Sequence, residues 1–327
     1  MPATVVITGA SAGLGRATAH AFAARGDRVL LLARSEESLQ AAVAECLSAG
    51  AEQAIYEVCD VTDAAGVEAA AARAEAELGP IDVWVNDAMI TSVSRFLDME
   101  DGELERITDV VYHGTVHGTR AALKRMVPRG SGTVVQVGSS LAYRAIPLQS
   151  AYCAAKHAIQ GFTESVRSEL LHDGSDVHLT MVQMPALNTP QFSMARNRMD
   201  KHPMPVPPIY EPEVGADAIV WSTEHRRREI WVGASTPVVI VGNGLLPSAG
   251  DHFLAATGFD GQQSEMEPDP GPDYLFEPRP GDHGTRGRFS DQARTSSTQF
   301  AITKRMPDWA AGKLSAGFGA LAGRLQK

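Results

Sequence analysis

Cysteine is scarce. The 327 residues hold three, Cys46, Cys59 and Cys153. Their spacing fits neither a disulfide framework nor a zinc site, and a reducing cytoplasm is the expected compartment. Positive charge is in deficit as well. Lys and Arg total 29 against 39 Asp and Glu, a net charge of −10, which speaks against a general nucleic-acid binder. No charge-free run reaches membrane-spanning length. The start, MPATVVITGA, enters a strand pattern at once, without a basic segment, an apolar segment and a cleavage site, so no secretory signal is expected. No internal repeat is seen. His113 and His117 stand four apart, a spacing that can bind metal, but no third ligand stands out and no metal is expected.

What is present is alternation. The chain is 44% hydrophobic, enough for a substantial core. Strands are predicted over residues 4–8, 28–33, 54–58, 81–86, 133–138, 177–183 and 229–233. Helices fall between them, up to Ala23, from about Glu36, and over residues 66–78, 103–126 and 150–171. Strands that read as continuous apolar runs, separated by helices, imply a parallel sheet covered on both faces. The expected class is α/β, a Rossmann-type doubly wound sheet of about seven strands, with ligands beyond the carboxyl ends of its strands. Residues 1–247 are expected to form this catalytic domain. Residues 248–327 form an extension. Its segment EPDPGPDYLFEPRPGDHGTRG reads as a surface arm or a linker, and its last stretch spaces Leu314, Phe318, Leu321 and Leu325 helically.

Directly after the first strand comes TGASAGLG, with Gly9, Gly13 and Gly15 where the chain must turn from strand into helix. Glycine tolerates positive φ and lets a pyrophosphate approach the backbone. The helix N-terminus offers that anion free N–H groups. A glycine turn in this context points to a dinucleotide. The second strand ends Ala33-Arg34, with no carboxylate for a ribose 2′-hydroxyl. A guanidinium there suits a 2′-phosphate and favours NADP over NAD. The alternative is a solvated arginine opening a loop. Asp60, after the third strand, is placed either to accept from an adenine amino group or to cap the next helix.

Tyr152 and Lys156 stand four apart, on one helix face. A free phenol, with a pKa of about 10, is a poor base at neutral pH. A neighbouring ammonium stabilises the phenolate and fits tyrosine for proton exchange with a carbonyl/alcohol pair. Ser139, thirteen residues upstream, lies at the carboxyl edge of the fifth strand, where its hydroxyl can bond the substrate oxygen. Cys153, next to Tyr152, should point away from that face and pack.

The glycine spacing TGxxxGxG, then Ser139, then YxxxK resembles the short-chain dehydrogenase/reductase family, shorter-chain branch, over roughly residues 1–245. The resemblance implies that Tyr152 is the catalytic acid/base and that Lys156 lowers its pKa and binds the nicotinamide ribose. Ser139 would orient and polarise the substrate carbonyl. The candidate cofactor contacts are then Gly9, Ser11, Gly13, Leu14 and Gly15 in the loop, Arg34, Asp60 and Val61 around the adenosine, and Asn86 and Ala88 after the fourth strand. Lys156, with Pro185 and Thr189 in the closing segment MPALNTP, completes the set. Relatives commonly pair through their fourth and fifth helices, so a homodimer or homotetramer is implied.

Three positions depart from the family pattern. The usual NNAG is here Asn86-Asp87-Ala88-Met89, and Met89 crowds a backbone that normally passes close to the cofactor. Val111 stands where the family carries an asparagine that holds a relay water; Tyr112 and His113 are nearby polar alternatives. Ala186 follows Pro185 in place of glycine. These departures motivate a second reading, a cofactor-binding sensor or scaffold without turnover.

The lid, residues 184–210, holds Met184, Phe192, Met194, Met199, Met204, Val206 and Ile209. Methionine adapts to irregular apolar shapes. The lid either receives a bulky apolar alcohol or ketone, such as a lipid, steroid or polycyclic compound, or packs against the core. The tail, with five basic residues and one acidic over residues 301–327, favours packing or disorder over contact with a membrane surface.

Overall fold

The first strand is apolar on both faces, and both faces are used. Val5 and Ile7 join one buried cluster and Val6 the other; β2 divides likewise, with Val29 and Leu31 on one side and Leu30 and Leu32 on the other. That division is why the strands lack polar alternation. The computed structural model describes residues 1–306. Its seven main strands are β1 Thr4–Thr8, β2 Arg28–Ala33, β3 Gln53–Val58, β4 Val83–Asn86, β5 Thr133–Ser139, β6 His178–Met184 and β7 Glu229–Trp231. They form one parallel sheet in the order β3-β2-β1-β4-β5-β6-β7. The order reverses at β1, which pairs with both β2 and β4. The loops leaving β1 and β4 therefore part, and a crevice opens between them.

Helices α1 Gly13–Ala23, α2 Glu36–Ala49 and α3 Ala64–Leu78 follow the first three strands. The continuous helix predicted over residues 103–126 is instead two, α4 Asp101–Thr108 and α5 Gly114–Arg129. A π-turn over Asp109–His113 joins them, with the Gly114 N–H bonding the Asp109 carbonyl. Two residues explain the break. The Thr115 hydroxyl donates back to the Val111 carbonyl at 2.8 Å. At Gly114, a Cβ would come 2.5 Å from Val61 Cγ2, so only glycine lets this turn reach the end of β3. Helix α6, Ser150–His172, follows β5.

The lid is stitched down rather than free. One turn, α7 Gln191–Met194, lies in it, Ala186–Leu187 pairs with Ile209–Tyr210, and Arg196–Asn197 pairs with Ser92–Val93. Helix α8, Pro212–Glu224, precedes β7; α9 Ser235–Leu245 and α10 Pro247–Thr257 follow it. The arm is neither a linker nor a loose surface segment. Tyr274 and Leu275 are buried in one core cluster and Phe289 is buried beneath the lid. Helix α11, Thr298–Arg305, sets Phe300 edge-on to Trp221 at 5.8 Å. The helical spacing predicted near the C-terminus lies outside the described residues. Among the described residues, no helix is long and apolar enough to cross a membrane.

Candidate active site

A cavity of about 640 Å³ opens at the sheet's switch point. At one end stand Ser11, Gly13 and Leu14 of the glycine loop, with Arg34, Asp60 and Val61; at the other stand Ser139, Tyr152 and Lys156. Gly9, Ala88, Pro185 and Thr189 also line it. Two predicted contacts do not. Gly15 sits inside α1, packed on the Gly9 carbonyl and facing Asp87. Asn86 turns into the sheet: its amide donates to Thr119 Oγ1 at 3.1 Å and Gln136 Oε1 at 2.9 Å, and its oxygen accepts from Trp84 Nε1 at 2.8 Å. That buried network ties β4 to α5 and β5.

The loop has the shape a dinucleotide requires. Gly9 has φ +73°, and a Cβ on it would lie 2.8 Å from Ala88 Cα. Gly13 has φ +56°, against Thr189 of the lid. The next two helices begin with their own caps: Ser35 accepts from the Ser38 N–H, and Asp63 from the Ala65 N–H. Helix α1 has no side-chain cap. No side chain takes its first amides; the Gly13 N–H bonds the Gly284 carbonyl at 3.0 Å, an oxygen in the place an anion's would take. The donor set and the cavity's lining thus fit a dinucleotide.

At the adenosine end, Arg34 is not the solvated arginine of the bland reading. Its guanidinium donates to the carbonyls of Tyr274 at 2.6 Å and Phe276 at 2.7 Å. Burial, with Arg106 nearby, lowers its pKa below the ordinary value. Asp60 does not cap α3; Asp63 does. Asp60 instead accepts from Thr62, at 3.0 Å from the N–H and 2.8 Å from the hydroxyl, and pairs with Arg106. Burial works against the Asp60 carboxylate, but these bonds outweigh it and hold the group below its ordinary range.

At the other end, Lys156 is buried, and its ammonium donates to the Val137 carbonyl at 2.6 Å. Its Nζ lies 5.6 Å from the centroid of the Tyr152 ring. Burial lowers Lys156, and the Asp87 carboxylate opposes that fall; burial raises Asp87, and Lys156 opposes that rise. The Tyr152 phenol is raised by burial, while a hydrogen bond with Ser139 pulls it down. The lowering expected from Lys156 is therefore not the dominant effect at this phenol. Ser139 also accepts from the Leu141 N–H at 3.1 Å, which fixes its rotamer toward the cleft. Cys153 is buried, as packing requires.

Of the π-turn, only Val110 lines the cavity; Val111 is fully buried in the core. His113 bonds Asp109 at 2.9 Å and His117 bonds the Val61 carbonyl at 2.9 Å, so the two histidines serve different partners. Met89 and Ala186 both line the cavity. Of the seven apolar lid residues named above, Met184, Phe192, Met194, Met204 and Val206 line it too; Met199 does not, and Ile209 is buried in the short pairing with Ala186. Sequence reasoning missed the arm: Tyr274, Arg279 and His283 form part of the wall. No periodicity marks them, and the segment's proline, glycine and charge are those of any linker.

The short chain dehydrogenase family profile matches residues 3–200. An uncharacterized oxidoreductase, YxnA, of Bacillus subtilis is 33% identical over 92% of this chain and 85% of its own length. A probable oxidoreductase, EphD, of Mycobacterium tuberculosis is 35% identical over 68% of this chain, which spans 40% of that longer protein. The crystal structure of a short-chain dehydrogenase from Streptomyces avermitilis superposes with a TM-score of 0.65 at 27% identity, over 80% of this chain and 97% of that one. These matches bring the oxidoreductase class and a nicotinamide cofactor with them, and the chain belongs to the short-chain dehydrogenase family.

Proposed function

We propose that this protein transfers a hydride between NADP(H) and the carbonyl/alcohol group of an apolar small molecule, with Tyr152 as acid/base. One observation carries the reading: a single cavity has the glycine loop and Arg34 at one end and Ser139, Tyr152 and Lys156 at the other. The uncapped start of α1 and the Ser11–Leu14 turn would hold the pyrophosphate. Arg34 would take the 2′-phosphate with the donors its two carbonyl bonds leave over, since a guanidinium carries five. Lys156 would hold the nicotinamide ribose, with Pro185 and Thr189 beside the ring. When bound, the cofactor supplies or accepts the hydride.

The chain's own residues handle the proton. Tyr152 gives its phenolic proton to the substrate oxygen in reduction and takes it back in oxidation. Ser139 donates a hydrogen bond to the same oxygen and steadies the charge that grows there. The Lys156 ammonium stabilises the phenolate left behind. Burial favours the protonated phenol, the form that donates its proton in reduction. The substrate end is lined by Phe192, Met194, Met204, Val239, Phe253 and Leu254, which supports an apolar substrate. Homo-oligomerisation and a cytoplasmic setting complete the reading, on the family's habit of pairing and the sparse cysteines.

Incubation with NADPH and a panel of ketones and aldehydes tests the assignment, wild type beside Tyr152→Phe. The expected outcome is turnover in the wild type and a loss of ~10²-fold or more in the variant, with NADPH still bound. Equal turnover in the variant refutes the acid/base. NADPH binding without turnover on any compound favours the sensor reading that Val111, Asp87 and Met89 motivate.

A further inference from the structure

The arm does not lie beside the cleft; it crosses it. It enters next to β4, where the Tyr274 phenol oxygen accepts from the Thr91 N–H at 3.0 Å. The carbonyls of Tyr274 and Phe276 then take two donors of Arg34. The Gly281 carbonyl accepts from the Ser38 hydroxyl at 3.1 Å. Asp282 pairs with the fully buried Arg16, Oδ2 lying 3.1 Å from one guanidinium nitrogen. The Gly284 carbonyl accepts from the Gly13 N–H at 3.0 Å, at the first residue of α1. The segment leaves over the lid, where the Gly287 and Phe289 N–H groups bond Asn188.

Two of these donors, the Gly13 N–H and the Arg34 guanidinium, belong to the set assigned above to the dinucleotide. Main-chain carbonyls satisfy them as phosphate oxygens would. A second, independent feature lies between the anchors. His283 lines the cavity, and its Nε2 is buried without a hydrogen-bond partner. A buried ring nitrogen left unbonded is costly, and a shift of the segment onto a ligand would give it a partner. The arm is a wall and not a filling, because the cavity beneath it runs from Arg34 to Tyr152.

We propose that residues 274–284 form a strap over the adenosine and pyrophosphate half of the cleft, which lifts to admit the dinucleotide and closes again over it with His283 against it. This rests on the cofactor reading above. Some of the strap's anchors are not among the dinucleotide's donors: Asp282 holds the first turn of α1 through Arg16, and Gly281 holds α2 through Ser38. Weakening those anchors speeds both entry and exit. Removing His283 weakens only the closed, loaded state.

The test uses the full-length protein and NADPH in stopped-flow fluorescence. The double variant Ser38→Ala, Asp282→Asn loosens the strap while Glu45 still pairs with Arg16. Its association and dissociation rate constants are expected to rise together by about tenfold, with Kd moving less than either. His283→Ala should raise the dissociation rate alone. Trypsin should cut after Arg286, just past the strap, more slowly when NADPH is saturating. If wild type and double variant bind NADPH with the same rate constants, and NADPH leaves the tryptic cut unchanged, the strap is overturned while the cofactor reading stands. If neither protein binds NADPH or NADH, the cofactor reading falls and the strap with it.

Discussion

The two ends of the cleft are built differently. The end with Ser139, Tyr152 and Lys156 is made by β5 and α6, elements rigidly seated in the sheet and its covering helices. Lys156 is anchored to a strand carbonyl and Ser139 to the turn that follows its strand. The end with the glycine loop and Arg34 is completed from far along the chain, by an arm whose contacts are largely main-chain carbonyls. On the proposed reading the first end moves the proton, and the second selects the dinucleotide and sets how fast it enters. That division would put chemistry that needs sub-ångström placement on strands and helices, and reversible binding on a segment able to detach.

Substitutions at the two ends should therefore separate. The largest effect is expected from Lys156→Ala. It strips the ammonium from the phenol and leaves the buried Asp87 carboxylate without its countercharge. Steady-state kinetics should show kcat reduced by ~10²-fold or more; a near-normal kcat would place the proton chemistry elsewhere. Arg34→Ala should act on affinity. The loss of a charge-assisted bond, about 1.5–3 kcal/mol, predicts a fall of roughly 10- to 100-fold in NADPH binding relative to NADH, with kcat little changed. Calorimetric titration with both cofactors gives that ratio, and equal affinities in the wild type would remove the NADP preference.

The smallest and sharpest effect is expected from Asp87→Asn. Asp87 holds Lys156 up, so its removal lets burial lower the ammonium further. The ammonium is then lost at lower pH, and the alkaline limb of the kcat/KM profile should move toward neutrality by about one unit. A profile measured between pH 5 and 10 checks this, and a limb that stays in place would uncouple the pair.

What the sequence made legible follows a physical pattern. The meeting of Gly9, Gly13, Tyr152, Lys156 and Ser139 at one cavity could be read because the motifs that carry them rest on residue type at fixed spacing within one element or one turn. The sheet could be read because burial on both faces forces continuous apolar runs. Other features required tertiary knowledge. Asp60 and Asp63 are equally good caps on paper; Arg106, arriving from α4, is what occupies Asp60. Asn86 resembles a cofactor contact in its motif, yet the donors and acceptors of Trp84, Thr119 and Gln136 draw it inward. The arm is the extreme case. Carbonyl oxygens belong to every residue, so a segment that binds through them leaves little trace in its composition.

The central claim is that one phenol, Tyr152, completes a hydride transfer taking place in this cavity. Its most direct test follows deuterium from NADPH bearing deuterium at both C4 positions into a bulky cyclic ketone, read by mass spectrometry of the alcohol. Wild type should deliver one deuterium per alcohol formed, and Tyr152→Phe, saturated with the same NADPH, should form almost none. Alcohol formed without the label, or labelled alcohol produced equally well by Tyr152→Phe, would contradict the account.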